Sequence, residues 1–218
     1  MYYIGIDLGT SAAKLLLVDD AGQIMNTVTK EYPLEFPNPG WSQQAPEDWK
    51  KAVMEGVPEL LSGFDGSQVA GIGCGGQMHG LVVLDKDDNV IRPAILWNDG
   101  RTAKQVDYLN GTIGKSKLSE LTANIAFAGF TAPKILWMQE NEPENFAKIA
   151  KIMLPRTTST TSSPAFTAVI IPTLPACCCL MLRISAGARR CWRSAASLKL
   201  RCPASTKATK WSVPSRKT

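Results

Sequence analysis

The sequence predicts an α/β domain built on a mixed β-sheet, followed by a segment of unlike composition. Three observations carry that reading. Apolar, β-prone runs crowd the start, at Tyr2–Asp7, Lys14–Asp19 and Ile24–Glu31, with links short enough for a meander. Beyond them, strand-length apolar runs alternate with segments of helical spacing. Hydrophobic residues make up 44% of the 218, enough for a sizeable core.

Each element has its own justification. Asp20-Ala21-Gly22 supplies the turn before the third strand. Residues 33–39 form an extended loop, because Pro33, Pro37 and Pro39 exclude helix. A helix follows over Pro46–Leu61. Pro46 stands in its first turn, Glu47 and Asp48 favour the positive end of the dipole, and Trp49, Val53, Val57, Leu60 and Leu61 share one face. Val69–Gly73 and Leu81–Asp85 read as further strands. Arg101–Leu109, Lys115–Leu121 and Ala132–Glu140 read as helices, the last with Ile135, Leu136 and Trp137 inward, and Pro143–Met153 as a final helix.

The most informative stretch is Gly5-Ile6-Asp7-Leu8-Gly9-Thr10-Ser11-Ala12-Ala13-Lys14, a strand, a tight turn and a second strand. Gly9, Thr10 and Ser11 can turn backbone N–H groups and two hydroxyls toward an anion, as a phosphate nest does. Asp7 at the strand end suits a magnesium ion held directly or through water, and Lys14 supplies a mobile charge for a phosphate oxygen. An ordinary hairpin is the plainer alternative. Gly71-Ile72-Gly73-Cys74-Gly75-Gly76 fits the dinucleotide-binding spacing, yet Gln77-Met78-His79-Gly80 leads into another strand and not the required helix. A glycine-rich loop that lets backbone approach a small ligand is the better account, beside a purely structural turn.

His79 is the only histidine, and the cysteine spacing makes no metal site with it. Its position at the end of the glycine tract makes it a ligand-binding candidate as well as a structural one. Trp97-Asn98-Asp99-Gly100-Arg101 joins an aromatic face to an amide, a carboxylate and a guanidinium, a set suited to a polyhydroxylated ligand. Its plainer reading is a surface turn with Asp99 as helix cap. Gly129-Phe130-Thr131-Ala132-Pro133-Lys134 taken alone is a helix start.

Together these pieces resemble the FGGY family of carbohydrate kinases, its xylulokinase branch most closely. The matching stretches are residues 3–11, Gly76-Gln77-Met78-His79-Gly80, Arg92 to Arg101 and Gly129 to Lys134, with Trp41-Ser42-Gln43-Gln44 in support. They occur in the family's order and cover residues 1 to about 155. The resemblance implies two actin-like, ribonuclease H-like domains around a catalytic cleft. It implies transfer of the γ-phosphoryl group of ATP to a hydroxyl of D-xylulose with Mg2+. It puts Asp7, Gly9, Thr10, Ser11 and Lys14 at the phosphates, Asp7 also at the metal, and Met78, His79, Trp97, Asn98 and Asp99 around the sugar. The family's catalytic base is an aspartate in a Gly-Gly-Asp-Asn-like loop opening the second domain. No such loop stands in this sequence, nor does the adenosine-binding glycine motif, so no catalytic residue is assigned and the chain is expected to be inactive. A non-catalytic actin-like module that binds sugar or nucleotide, or a kinase for another pentulose or polyol, are the alternatives. No oligomeric state is implied.

A boundary falls at Pro155. Through Pro155 thirteen Lys and Arg stand against all nineteen acids, a net −6, whereas the remainder carries eleven Lys and Arg and no acid. The tail, residues 156–218, also holds 18 Ser and Thr and five of the six cysteines. Arg156-Thr157-Thr158-Ser159-Thr160-Thr161-Ser162-Ser163 can be written with synonymous codons that one restored base turns into Lys-Asp-Tyr-Leu-Asn-Tyr-Lys-Leu, a family-like continuation. The same slide turns Cys177-Cys178-Cys179 into two leucines whichever cysteine codons were used. A one-base deletion near codon 156 is therefore expected, with a disordered tail prone to aggregate through Ala165–Ile171 and Ala176–Leu182. Without interleaved aromatics, the basic tail is not read as a nucleic-acid binder. No run reaches membrane-span length, and the start lacks a basic segment followed by an apolar core, so a cytoplasmic location is expected.

Overall fold

In the computed structural model, which describes residues 1–156, the meander is present as β1 (Tyr2–Leu8), β2 (Ala12–Asp19) and β3 (Ile24–Glu31). The expectations for the tail lie outside the described residues. Alternation sets the facing of the strands. Ile4, Ile6, Leu8, Ala13, Leu15 and Leu17 are buried, while Tyr3, Asp7 and Lys14 look outward. The second turn closes on Asp19, whose Oδ1 accepts from the N–H groups of Ala21 (2.9 Å) and Gln23 (2.8 Å).

Helix α1 (Pro46–Leu60) opens with Pro46, Glu47 and Asp48, as the charge pattern indicated. Its apolar face, Trp49, Ala52, Val53 and Leu60, packs on Ile4, Ile6, Leu15 and Leu17 to make the main core. The chain then enters β5 (Val69–Gly76), which joins β1 in parallel and completes a four-stranded mixed sheet of order β3-β2-β1-β5. Here one expectation is corrected. The strand does not give way to a loop after Gly73, because Cys74, Gly75 and Gly76 continue the ladder opposite Ile6, Asp7 and Leu8. Backbone pairing with a central strand overrides glycine's poor strand propensity. Gly76 ends the strand at φ 142°, and a Cβ there would lie 2.6 Å from Leu8 O.

Beyond the sheet come β6 (Val82–Leu84), β7 (Ala94–Ile95), α2 (Ala103–Asp107), a π-helical segment (Tyr108–Gly114), α3 (Lys115–Thr122) and α4 (Thr131–Asn141). The two-residue strand β4 (Gln43–Gln44), preceding α1, pairs with β7, a long-range match with no local signature. The helix expected over residues 101–109 starts two residues later and runs into the π-helical segment. The final helix is a larger correction. It stops at Ala147 as α5 (Pro143–Ala147), and Lys151–Met153 is a strand, β8, antiparallel to β6. Phe146, Ile149 and Ile152 mimic one helical face, but they reach a second core of Leu81, Val83, Ile95, Ile135 and Met138 from successive elements.

Candidate active site

The parallel strands β1 and β5 end side by side at Leu8 and Gly76, the end of a sheet where loops of such folds gather ligands. The turn after β1 closes through Gly9 N–H to Ala12 O (3.0 Å). Its carbonyls are then drawn into the protein. Gly9 O accepts from Tyr32 Oη (2.6 Å) and Gln77 Nε2 (3.3 Å), Thr10 O from Gln44 Nε2 (3.2 Å), and Ser11 O from Tyr32 N–H (3.1 Å). Burial, and then the charge of Asp7, pushes the Tyr32 hydroxyl well above its usual pKa and keeps it a donor. Among the described residues nothing accepts from the Thr10 and Ser11 N–H groups. An anion is what such a turn can take.

Asp7 and Lys14 face each other across the β1–β2 ladder on the exposed side of the sheet. On its other flank Asp7 has Gly75, which adds no side chain. The result is an open floor bearing one carboxylate and one ammonium. Among the described residues no group of three His, Cys, Asp or Glu could hold a metal ion. A magnesium ion at Asp7 would therefore complete its shell with water and phosphate oxygens, the usual habit of that ion.

A second wall meets this turn. Trp97, 49% exposed, donates its Nε1–H to Thr10 Oγ1 at 3.0 Å, so two motifs 87 residues apart share a hydrogen bond. His79 sits in the left-handed region at φ 66°, stacked on Phe130 with ring centres 4.4 Å apart, and Phe127 meets Phe130 edge-on at 5.1 Å. Burial, then the positive charges of Lys134 and Arg156, holds the imidazole below the ordinary histidine pKa. His79 Nδ1 finds no hydrogen-bond partner among the described residues. Met78 and Asn98, next to His79 and Trp97 in the chain, are exposed. Imidazole, indole and phenyl faces suit a ligand with hydroxyls and C–H surfaces.

Asp99 is the member of the expected sugar set that the structure directs inward. Its carboxylate accepts from Ser42 N–H (2.6 Å) and from Arg101, and both side chains of this ion pair are fully buried. Arg101 lies over the rings of Trp41 (3.9 Å) and Trp137 (4.9 Å). Tyr32, Gln44 and Gln77 carry no sign of a role in the sequence. Gln44 is fully buried, bridging Thr10 O, Pro33 O and Trp49 Nε1, and Gln77 donates to it in turn. Both amides stood in motifs already quoted. Nothing about a glutamine in a sequence tells that it braces a turn.

The model of the N-terminal domain of the FGGY family of carbohydrate kinases matches residues 2–160. A xylulose kinase of Lactococcus lactis is 49% identical over 158 residues, 71% of this chain and 31% of that protein. Among solved structures, one described as a xyloylose kinase from Brucella ovis is 41% identical at a TM-score of 0.68, covering 72% of this chain and 33% of its own. A gluconate kinase from Lactobacillus acidophilus gives the same TM-score, 0.68, at 28% identity, again over 72% of this chain and 32% of its own. This chain thus spans about a third of the length of the relatives it matches. With the motif spacing, the sheet order and the family match in agreement, the chain belongs to the FGGY family of carbohydrate kinases.

Proposed function

We propose that residues 1–155 are the sugar- and phosphate-gripping lobe of an ATP-dependent kinase that converts D-xylulose to D-xylulose 5-phosphate. The observation that carries this reading is the Trp97 Nε1–Thr10 Oγ1 hydrogen bond, which sets an aromatic wall against an anion-accepting turn. The Thr10 and Ser11 N–H groups and the Lys14 ammonium would bind phosphate oxygens, and Asp7 would hold magnesium through water. That ion supplies neutralisation of charge on the transferring phosphoryl group. Met78, His79, Trp97 and Asn98 would line the sugar, with Asp99 anchoring their loop from behind. We read the choice of sugar as lying in such side chains and not in the sheet, since a structure described as a gluconate kinase has a similar fold at 28% identity. The name of the Lactococcus lactis relative supports xylulose.

The carboxylate that accepts the sugar proton is not among these residues and would come from a second lobe. Catalysis would then rest on positioning and on charge stabilisation shared across the two lobes. The tail from Arg156 is proposed to be out of frame, which resequencing the gene at that codon decides. A cytoplasmic site of action fits an ATP-using sugar kinase, and among the described residues no helix is long and apolar enough to cross a membrane.

Calorimetry with D-xylulose and with magnesium and ATP, beside a phosphorylation assay, tests the reading. Expected are saturable sugar binding that is lost in His79→Ala, and no turnover by the 218-residue chain. Turnover that depends on Asp7 would contradict the assignment of the base to another lobe.

A further inference from the structure

The helix start Gly129–Lys134 gained no role from the sequence, yet it touches both sides of the sugar wall. Lys134 is among the largest fully buried side chains of the described residues, at 0% exposure. A buried ammonium is costly unless oxygens surround it. Here Nζ donates to His79 O (2.9 Å) and to Gly129 O (2.5 Å). Thr131 Oγ1 adds a second donor to His79 O, at 3.1 Å. His79 is one of only three non-glycine residues with positive φ among those described, so its conformation needs such outside support. Gly129 in turn lies so close to the other wall that a Cβ on it would stand 2.5 Å from Trp97 O.

We propose that Lys134 is a positioning residue of this site: its buried ammonium gathers the His79 and Gly129 carbonyls and so holds His79, Phe130 and the Trp97 loop in one sugar-facing arrangement. The sugar-facing part rests on the function proposed above. Lys134 touches no ligand itself. It acts by fixing the left-handed turn at His79, from which the imidazole stacks on Phe130 with its Nδ1 unpartnered among the described residues.

Because His79 is the only histidine, its ring protons give one unambiguous set of magnetic resonance signals from the whole 218-residue chain. In the parent chain, stacking on the face of Phe130 is expected to displace them upfield. In Lys134→Met, which keeps the aliphatic stem, they are expected to move to the positions of an unstacked histidine while the dispersed amide spectrum persists. D-xylulose affinity is expected to fall by roughly 10-fold or more, as misplacement of a binding group does. A folded Lys134→Met chain with unmoved ring signals would overturn the proposal. Should that variant lose its amide dispersion, Lys134→Gln decides: it keeps one N–H donor among the carbonyls but is too short and uncharged to gather both of them. Displaced ring signals in that folded variant support the clamp, and unmoved ones overturn it. The ring signals are read before sugar is added, so a parent chain that binds no D-xylulose would count against the proposed substrate and not against the clamp.

Discussion

Burial first, and then the charges of Lys134 and Arg156, penalise the charged form of His79 and hold its pKa below the ordinary histidine value. The unfolded chain takes up its proton near the ordinary value, about pH 6.5, and the folded one only below that. Stability contributed at this residue is therefore present above that pH and declines as pH falls toward the folded pKa. A pH titration of the single histidine signal should give a midpoint below the ordinary value, and Lys134→Met should move it upward. Gln44 offers a second residue-level test. Gln44→Ala leaves the buried Trp49 Nε1–H and two carbonyls without their bonds, and the lost donor pairing alone costs about 1–3 kcal/mol. Urea denaturation should show that loss. Asp7, Thr10 and Lys14 stood out in the sequence because charge and turn residues are local features. The braces Gln44, Gln77 and Lys134 did not, since each acts on a backbone carbonyl supplied by a distant segment.

At the scale of elements, β1, β2, β3 and α1 were legible because one periodicity ran unbroken through each. The glycine tract misled for a physical reason. Four glycines in six residues look like a loop, and only the β1 ladder makes them a strand. Likewise β8 exists through its pairing with β6, a partner about 70 residues away. The junction is testable at Gly76. Gly76→Ala would press a methyl on the backbone of Leu8 and force an alanine to φ 142°, a strain of about 1–3 kcal/mol before any clash is counted. A lower denaturation midpoint is expected, together with loosening of the Gln77 N–H to Leu8 O bond (2.7 Å) in amide exchange. An Ala variant as stable as the parent would mean that the strand end lies elsewhere.

For the whole molecule, the mixed sheet of order β3-β2-β1-β5 brings the turn after β1 and the end of the glycine tract together, and Trp97 bonds to that turn. Fold class could be read from motif order, and two residues singled out with it, Thr10 and Trp97, meet through a hydrogen bond. The inward turn of Asp99 could not, because it depends on a buried Arg101 side chain packed over two tryptophans. Placing the proton acceptor in another lobe implies that sugar can bind here without reacting. The most direct measurement is a D-xylulose titration of the 218-residue chain, followed at the ring signals of its one histidine. Expected is a saturable displacement that Trp97→Ala weakens severely. A folded chain whose histidine signals never respond to the sugar would contradict the assignment of this surface.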